Sequence, residues 1–236
     1  MAQAKTARQL LGVKGIDTVI LPPAQAVLYN KQKQNDAAVL VLLDRAADDT
    51  EIENTLKTVK EKGVDAAFCT CIGQIELAKK QGFKIVAAHT LNIFNSHTLE
   101  FFAKEGVSAA VLSAELKKSE LFYGSIPTAV FAYGRLPLML CRNCPLKNGK
   151  GCKDCAHTLT DRKGEKLIVD CDGAYTEILS SKITDIATRE GAFDALFLKF
   201  YDEDKNRVAA VVNSYITGRF EGGENKTRRL YKNGVL

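Results

Sequence analysis

KGVDAAFCTCIGQIELAKKQGFKIVAAHTLNIFNSHTLEFFAKEGVSAAVL, running from Lys62 to Leu112, repeats one structural phrase three times. Lys62-Gly63 leads into an apolar run at 64–69, Gln81-Gly82 into 83–88, and Glu105-Gly106 into 107–112. Each glycine suits the left-handed turn that closes a helix. The runs that follow are apolar throughout rather than alternating, as in strands covered on both faces. Residues 73–80 and 96–104 between them read as helices. Strand, helix, glycine, strand predicts parallel strands joined by helical crossovers.

The pattern extends in both directions. Upstream, 4–11 reads as a short helix, 16–21 as a strand stopped by Pro22-Pro23, 24–35 as a helix and 38–43 as a strand. The 48–62 segment is the clearest helix, with Asp49 or Thr50 as its cap and Ile52, Leu56 and Val59 on one face. Downstream come a short helix at 115–121, a strand at 128–133, short strands at 167–169 and 175–179, and a helix at 183–189. Glu190-Gly191 precedes a strand at 196–200, and 202–215 is a further helix.

An open nucleotide-binding sheet lacks its signature here, because no Gly-x-Gly-x-x-Gly follows the first strand and no phosphate-loop lysine motif occurs. The expectation is an α/β fold, a TIM-like (β/α) barrel over residues 1–236 as a single domain, with an inserted cysteine-rich metal-binding segment at 136–182. About seven strands can be counted outside that segment, which leaves room for a barrel incomplete at its N-terminus. In a parallel barrel the strand ends share one face. Cys69, Thr70, Cys71, His89, Thr90, Asn92, Asn95, Ser113, Glu115, Tyr133 and Arg135 would all gather there.

At 236 residues and 46% hydrophobic, the chain can bury a substantial core. It contains no apolar run of membrane-helix length, and MAQAKTARQL has no signal-peptide core, so a cytoplasmic location and no membrane partner are expected. The net charge of +5 is spread along the chain and does not by itself establish nucleic-acid binding.

Five of the seven cysteines, Cys141, Cys144, Cys152, Cys155 and Cys171, fall in one short stretch. Two Cys-x-x-Cys pairs are the spacing of a structural zinc site, and the same thiolates suit an iron-sulfur cluster. Five candidates compete for four positions, with Cys141 or Cys171 as the spare. Spacing alone favours zinc narrowly.

Longer stretches carry a resemblance. They are LNIFNSHTLEFFAKEGVSAAVLSAEL (91–116), YGRLPLMLCRNCPLKNGKGCKDC (133–155), LTDRKGEKLIVDC (159–171), YTEILSS (175–181) and TRRLYKNGVL (227–236). With these the chain resembles the U32 peptidase-like family, in the branch close to the enzyme that hydroxylates a cytidine of bacterial 23S ribosomal RNA. The resemblance implies a barrel with a [4Fe-4S] cluster on Cys144, Cys152, Cys155 and Cys171, zinc being the alternative. Cys141 stands where relatives more often carry threonine or serine. The implied activity is oxygen-independent hydroxylation of an RNA base, with ribosomal RNA and prephenate or a similar organic acid as partners. The alternatives are a U32-type, collagenase-like peptidase and a zinc-stabilised RNA-binding module.

On the hydroxylase reading, Asn92, Asn95, Glu115, Tyr133 and Arg135 are the candidate catalytic residues. Arg142, Arg162, Lys163, Tyr175, Arg228 and Arg229 are the candidates for holding anions or stacking on a base. Each has a plainer alternative: Asn95 as a helix cap, the tyrosines as packing, the cations as solvated charge. For proteolysis there is no His-Glu-x-x-His and no Gly-x-Ser-x-Gly. His89 with Cys69 or Cys71 is the one thiol pair the strand ends offer.

Overall fold

The computed structural model describes residues 1–147, 152, 155–171, 175–220 and 226–233. The elements in order are β1 (Ala2–Gln3), α1 (Ala7–Leu10), β2 (Thr18–Leu21), α2 (Pro23–Gln32), β3 (Ala38–Leu42), α3 (Asp49–Glu61), β4 (Ala66–Cys69), α4 (Gly73–Lys80) and β5 (Lys84–Ala87). They continue with α5 (Ser96–Lys104), β6 (Val107–Val111), β7 (Thr128–Cys141), β8 (Thr158–Thr160), β9 (Lys166–Cys171), β10 (Thr176–Asp185), β11 (Ala195–Lys199), α6 (Lys205–Thr217), β12 (Lys226–Thr227) and α7 (Arg229–Asn233).

Strands β1 to β7 pair in sequence, all parallel; β11 pairs in parallel with both β7 and β1. That closes an eight-stranded parallel barrel. The expected barrel is therefore present, and the strand missing from the sequence count is β1. Its two residues are too few to show a pattern, yet Ala2 lies opposite Val19 and Leu198 and completes the ring.

The apolar runs have the two-sided burial they imply. Ile20, Leu40, Phe68, Val86, Phe131 and Phe197 fill the lumen, while Val19, Val41, Ala67, Ile85 and Leu198 face the helices. Gly63, Gly82 and Gly106 follow α3, α4 and α5 with φ of +80°, +70° and +97°. Asp48 caps α3, one residue before the expected cap: its carboxylate accepts the Glu51 N–H at 2.9 Å, and Glu51 accepts the Asp48 N–H at 3.0 Å.

Two expected helices are absent. Residues 115–121 hold a single 3₁₀ turn at Lys118–Glu120, and the 183–189 segment begins as the end of β10. β7 is also longer than its apolar half. It leaves the barrel at Gly134 and runs on to Cys141, where β10 returns antiparallel to it and β9 and β8 follow in turn. This antiparallel blade rises from the C-terminal mouth. It occupies the place of a seventh crossover helix, and the barrel resumes at β11. Among the described residues, no helix is long and apolar enough to cross a membrane.

Candidate active site

Along β11, Ala195 and Phe197 face the lumen, so the two-residue period of a strand carries Lys199 to the same side, at the mouth. Gln3 is its register partner on β1. Above them, Asp170 on β9 lies directly opposite Glu177 on β10, which puts both carboxylates on one face of the blade. Each meets a lysine from the barrel rim. Lys199 Nζ is 3.2 Å from Glu177 Oε2, with the two side chains only 13% and 16% exposed, and Lys5 pairs with Asp170.

Lys5, Asp170, Tyr175, Glu177, Lys199 and Tyr201 line a cavity of about 320 Å³ between barrel and blade. The Lys5 ammonium also sits 4.0 Å above the centre of the Tyr201 ring. Burial, then repulsion from Asp170 and Asp202, pushes the Tyr201 phenol up to about 12, so it stays protonated. Gly134 lets the blade come close. A Cβ at that position would lie 2.3 Å from the Lys199 carbonyl oxygen, and its φ of +131° disfavours any other residue.

His89 lies lower in the mouth, packed edge-on against Phe131 at 5.1 Å and tilted against Phe197 at 5.6 Å. Neither ring nitrogen has a hydrogen-bond partner among the described residues. Burial, then repulsion from Lys199 and Arg45, lowers its pKa to about 3, so the imidazole is neutral. Cys69 is its counterpart on the other side of the wall. It packs in the helix-facing layer, and burial followed by repulsion from Cys71 raises its thiol to about 12. A thiolate on Cys69 activated by His89 is thereby ruled out.

The residues expected to form the site disperse. Asn92 is exposed in a left-handed turn and accepts the Ser113 hydroxyl; Asn95 caps α5 through the Thr98 N–H at 2.9 Å. Glu115 is exposed on the rim. Tyr133 is buried against Phe200 in the outer layer, its phenol raised by burial first and then by Glu203. Arg135 donates to the Ser180 and Ser181 carbonyls, which ties β7 to β10.

Arg142 lines a second cleft, of about 800 Å³, with Asp44 and Glu51. Arg162 and Lys163 are exposed in the β8–β9 turn, and Arg228 is exposed beside α7. Arg229 opens α7, but its side chain lies outside the described residues. Tyr175, among these candidates, does line the small cavity. Sequence reasoning missed Lys199 and Glu177. The signal was present in Ala195, Phe197 and Lys199, a period-two line ending in a charge.

The cysteines gather on the blade without closing on a common point. Cys141 and Cys171 flank Thr176 from opposite sides of β10. Burial first, then Cys144, Cys152 and Cys155, raises the Cys171 thiol, so these four share one electrostatic neighbourhood. Four thiols are the donor chemistry of a thiophilic centre. Among the described residues, however, no group of three or more His, Cys, Asp or Glu side chains converges to hold a metal ion. The expected insertion is present as a blade, and its metal-binding character is not borne out by this arrangement.

The family model for peptidase family U32 matches residues 24–157. The chain belongs to this family. The U32 peptidase Mk0906 has the same fold, with a TM-score of 0.53 and 12% identity over 86% of this chain and 93% of that one. A mandelate-racemase-like protein from Bordetella bronchiseptica RB50, solved with 2-oxoglutarate and phosphate, aligns over 47% of this chain and 37% of its own. Its identity is 13% and its TM-score of 0.36 carries no argument. No curated protein matches the chain.

U32 membership corrects the expected activity. The expected iron-sulfur-dependent RNA hydroxylase is overturned by the family match, which is to a peptidase family.

Proposed function

We propose that this U32 family member hydrolyses peptide bonds in the cavity between barrel and blade. Membership of the peptidase family is the observation that carries the reaction class. The largely enclosed Lys199–Glu177 pair supplies the means. Glu177 takes a proton from water as the water oxygen bonds to the scissile carbonyl carbon. The carbonyl oxygen becomes an oxyanion beside the Lys199 ammonium, in a site where burial strengthens their attraction. As the tetrahedral centre collapses, the C–N bond breaks and the proton held by Glu177 passes to the leaving amine. Asn92 and Glu115 on the rim, and Arg142 in the neighbouring cleft, are proposed as contacts for the rest of the peptide. The reading needs neither RNA nor prephenate.

Hydrolysis run in ¹⁸O-water tests this reading by mass spectrometry of the fragments. One solvent oxygen in each new carboxylate is expected; no new fragments from a panel of unstructured peptides would overturn it.

Cys144, Cys152, Cys155 and Cys171 are proposed separately as the holders of a thiophilic centre, iron-sulfur or zinc, that braces the blade. No step of the hydrolysis passes through it. Anaerobic purification with iron, zinc and sulfide analysis should find metal that is lost in Cys144→Ser. Metal-free protein with all four thiols titratable would contradict the assignment.

A further inference from the structure

The outer ion pair of the cavity is built as an ammonium site, and its present occupant belongs to the chain itself. The Lys5 ammonium pairs with the Asp170 carboxylate and lies 4.0 Å over the Tyr201 ring. A carboxylate beside an aromatic face is the arrangement that recognises a cationic nitrogen. Asp170 is held in place by β9, opposite Glu177, and its side chain is 20% exposed. Lys5 lies beyond the end of β1, on a flexible four-carbon stem, and is 44% exposed. Of the two partners, the lysine is therefore the one free to leave.

We propose that Asp170 and Tyr201 bind the free α-ammonium of a peptide substrate, which displaces Lys5, so that the cavity acts on amino-terminal ends of peptides. The inference rests on the peptidase reading for what happens next, but not for the binding itself. Cross-strand neighbours stand roughly 5 Å apart. An ammonium on Asp170 therefore brings the first peptide bond of the ligand toward Glu177 and Lys199, the pair assigned to hydrolysis. The cavity, about 320 Å³, suits a chain end better than the middle of an extended peptide. A lysine side chain on a substrate has the same ammonium, so the probes carry none.

The test is calorimetric titration of the full chain with Ala-Ala-Ala-amide and with its N-acetylated form. The free amine should bind at least about tenfold more tightly, about 1.4 kcal/mol. Lys5→Met, which empties the site, should widen that ratio; Asp170→Asn should abolish it, and Tyr201→Leu should shrink it, with folding of each variant checked by circular dichroism. Equal binding of the two peptides, no binding of either, or a preference that survives in folded Asp170→Asn would each overturn the proposal. Amine-dependent binding without any cleavage would sustain the ammonium site and sink the peptidase reading. Cleavage that ignores acetylation would do the reverse.

Discussion

His89 has an acid-lability built into its position. Its imidazole is buried beside Phe131 and Phe197, and Lys199 and Arg45 oppose a positive charge on it, so its pKa falls to about 3 from an ordinary 6.5. Below pH 6.5 the unfolded chain takes up this proton and the folded chain does not. The His89 contribution to stability is therefore whole above that pH and declines as pH falls toward 3, by about 1.4 kcal/mol per unit at most. Denaturation of wild type and His89→Phe between pH 7 and pH 4 should show a shallower acid decline in the variant. Parallel declines would mean that His89 is charged, or solvated, in the native state. Histidine after an apolar strand was legible as a strand-end residue. Its neutrality was not, because that depends first on burial against Phe131 and Phe197 and then on Lys199, residues that arrive from 42 to 110 positions further along the chain.

At the scale of an element, β7 joins two unlike structures. Its first half is barrel wall, buried from Thr128 to Gly134, and its second half is blade, exposed at Leu138, Met139 and Leu140. The apolar half could be read from sequence. The continuation could not, since Gly134 and Pro137 both look like stops, yet Pro137 still pairs with Leu179, at an irregularity where the register shifts on either side. Gly134 is the junction, and there a side chain has no room against the Lys199 carbonyl. Gly134→Ala should cost about 2 kcal/mol or more in chemical denaturation and perturb the Lys199–Glu177 pair. Gly164 in the β8–β9 turn makes the comparison: its φ is +81°, but nothing lies within 4 Å of an added Cβ. Gly164→Ala should cost only about 1 kcal/mol. Equal losses at the two positions would show that backbone conformation, not the close approach to β11, governs Gly134.

For the whole molecule, the unbroken apolar runs led to the barrel because a strand buried on two faces leaves a signature in its own residues. The cavity left none that local reading could recover. Its two carboxylates come from β9 and β10, one lysine from the segment after β1 and the other from β11, and they meet only when the blade folds back over the mouth. Asn92, Asn95 and Glu115 were conspicuous because they follow strands, but following a strand places a residue on the rim without turning it inward. Tyr133 turned outward, onto Phe200.

The claim that this mouth is a peptidase site meets its most direct test in turnover of one cleavable peptide by wild type, Glu177→Gln and Lys199→Met, with folding checked by circular dichroism. A general base and an oxyanion cation each contribute on the order of 10²-fold or more to such a reaction. The account predicts that kcat falls about a hundredfold or further in each variant while the fold persists. Unchanged kcat in both folded variants would contradict it.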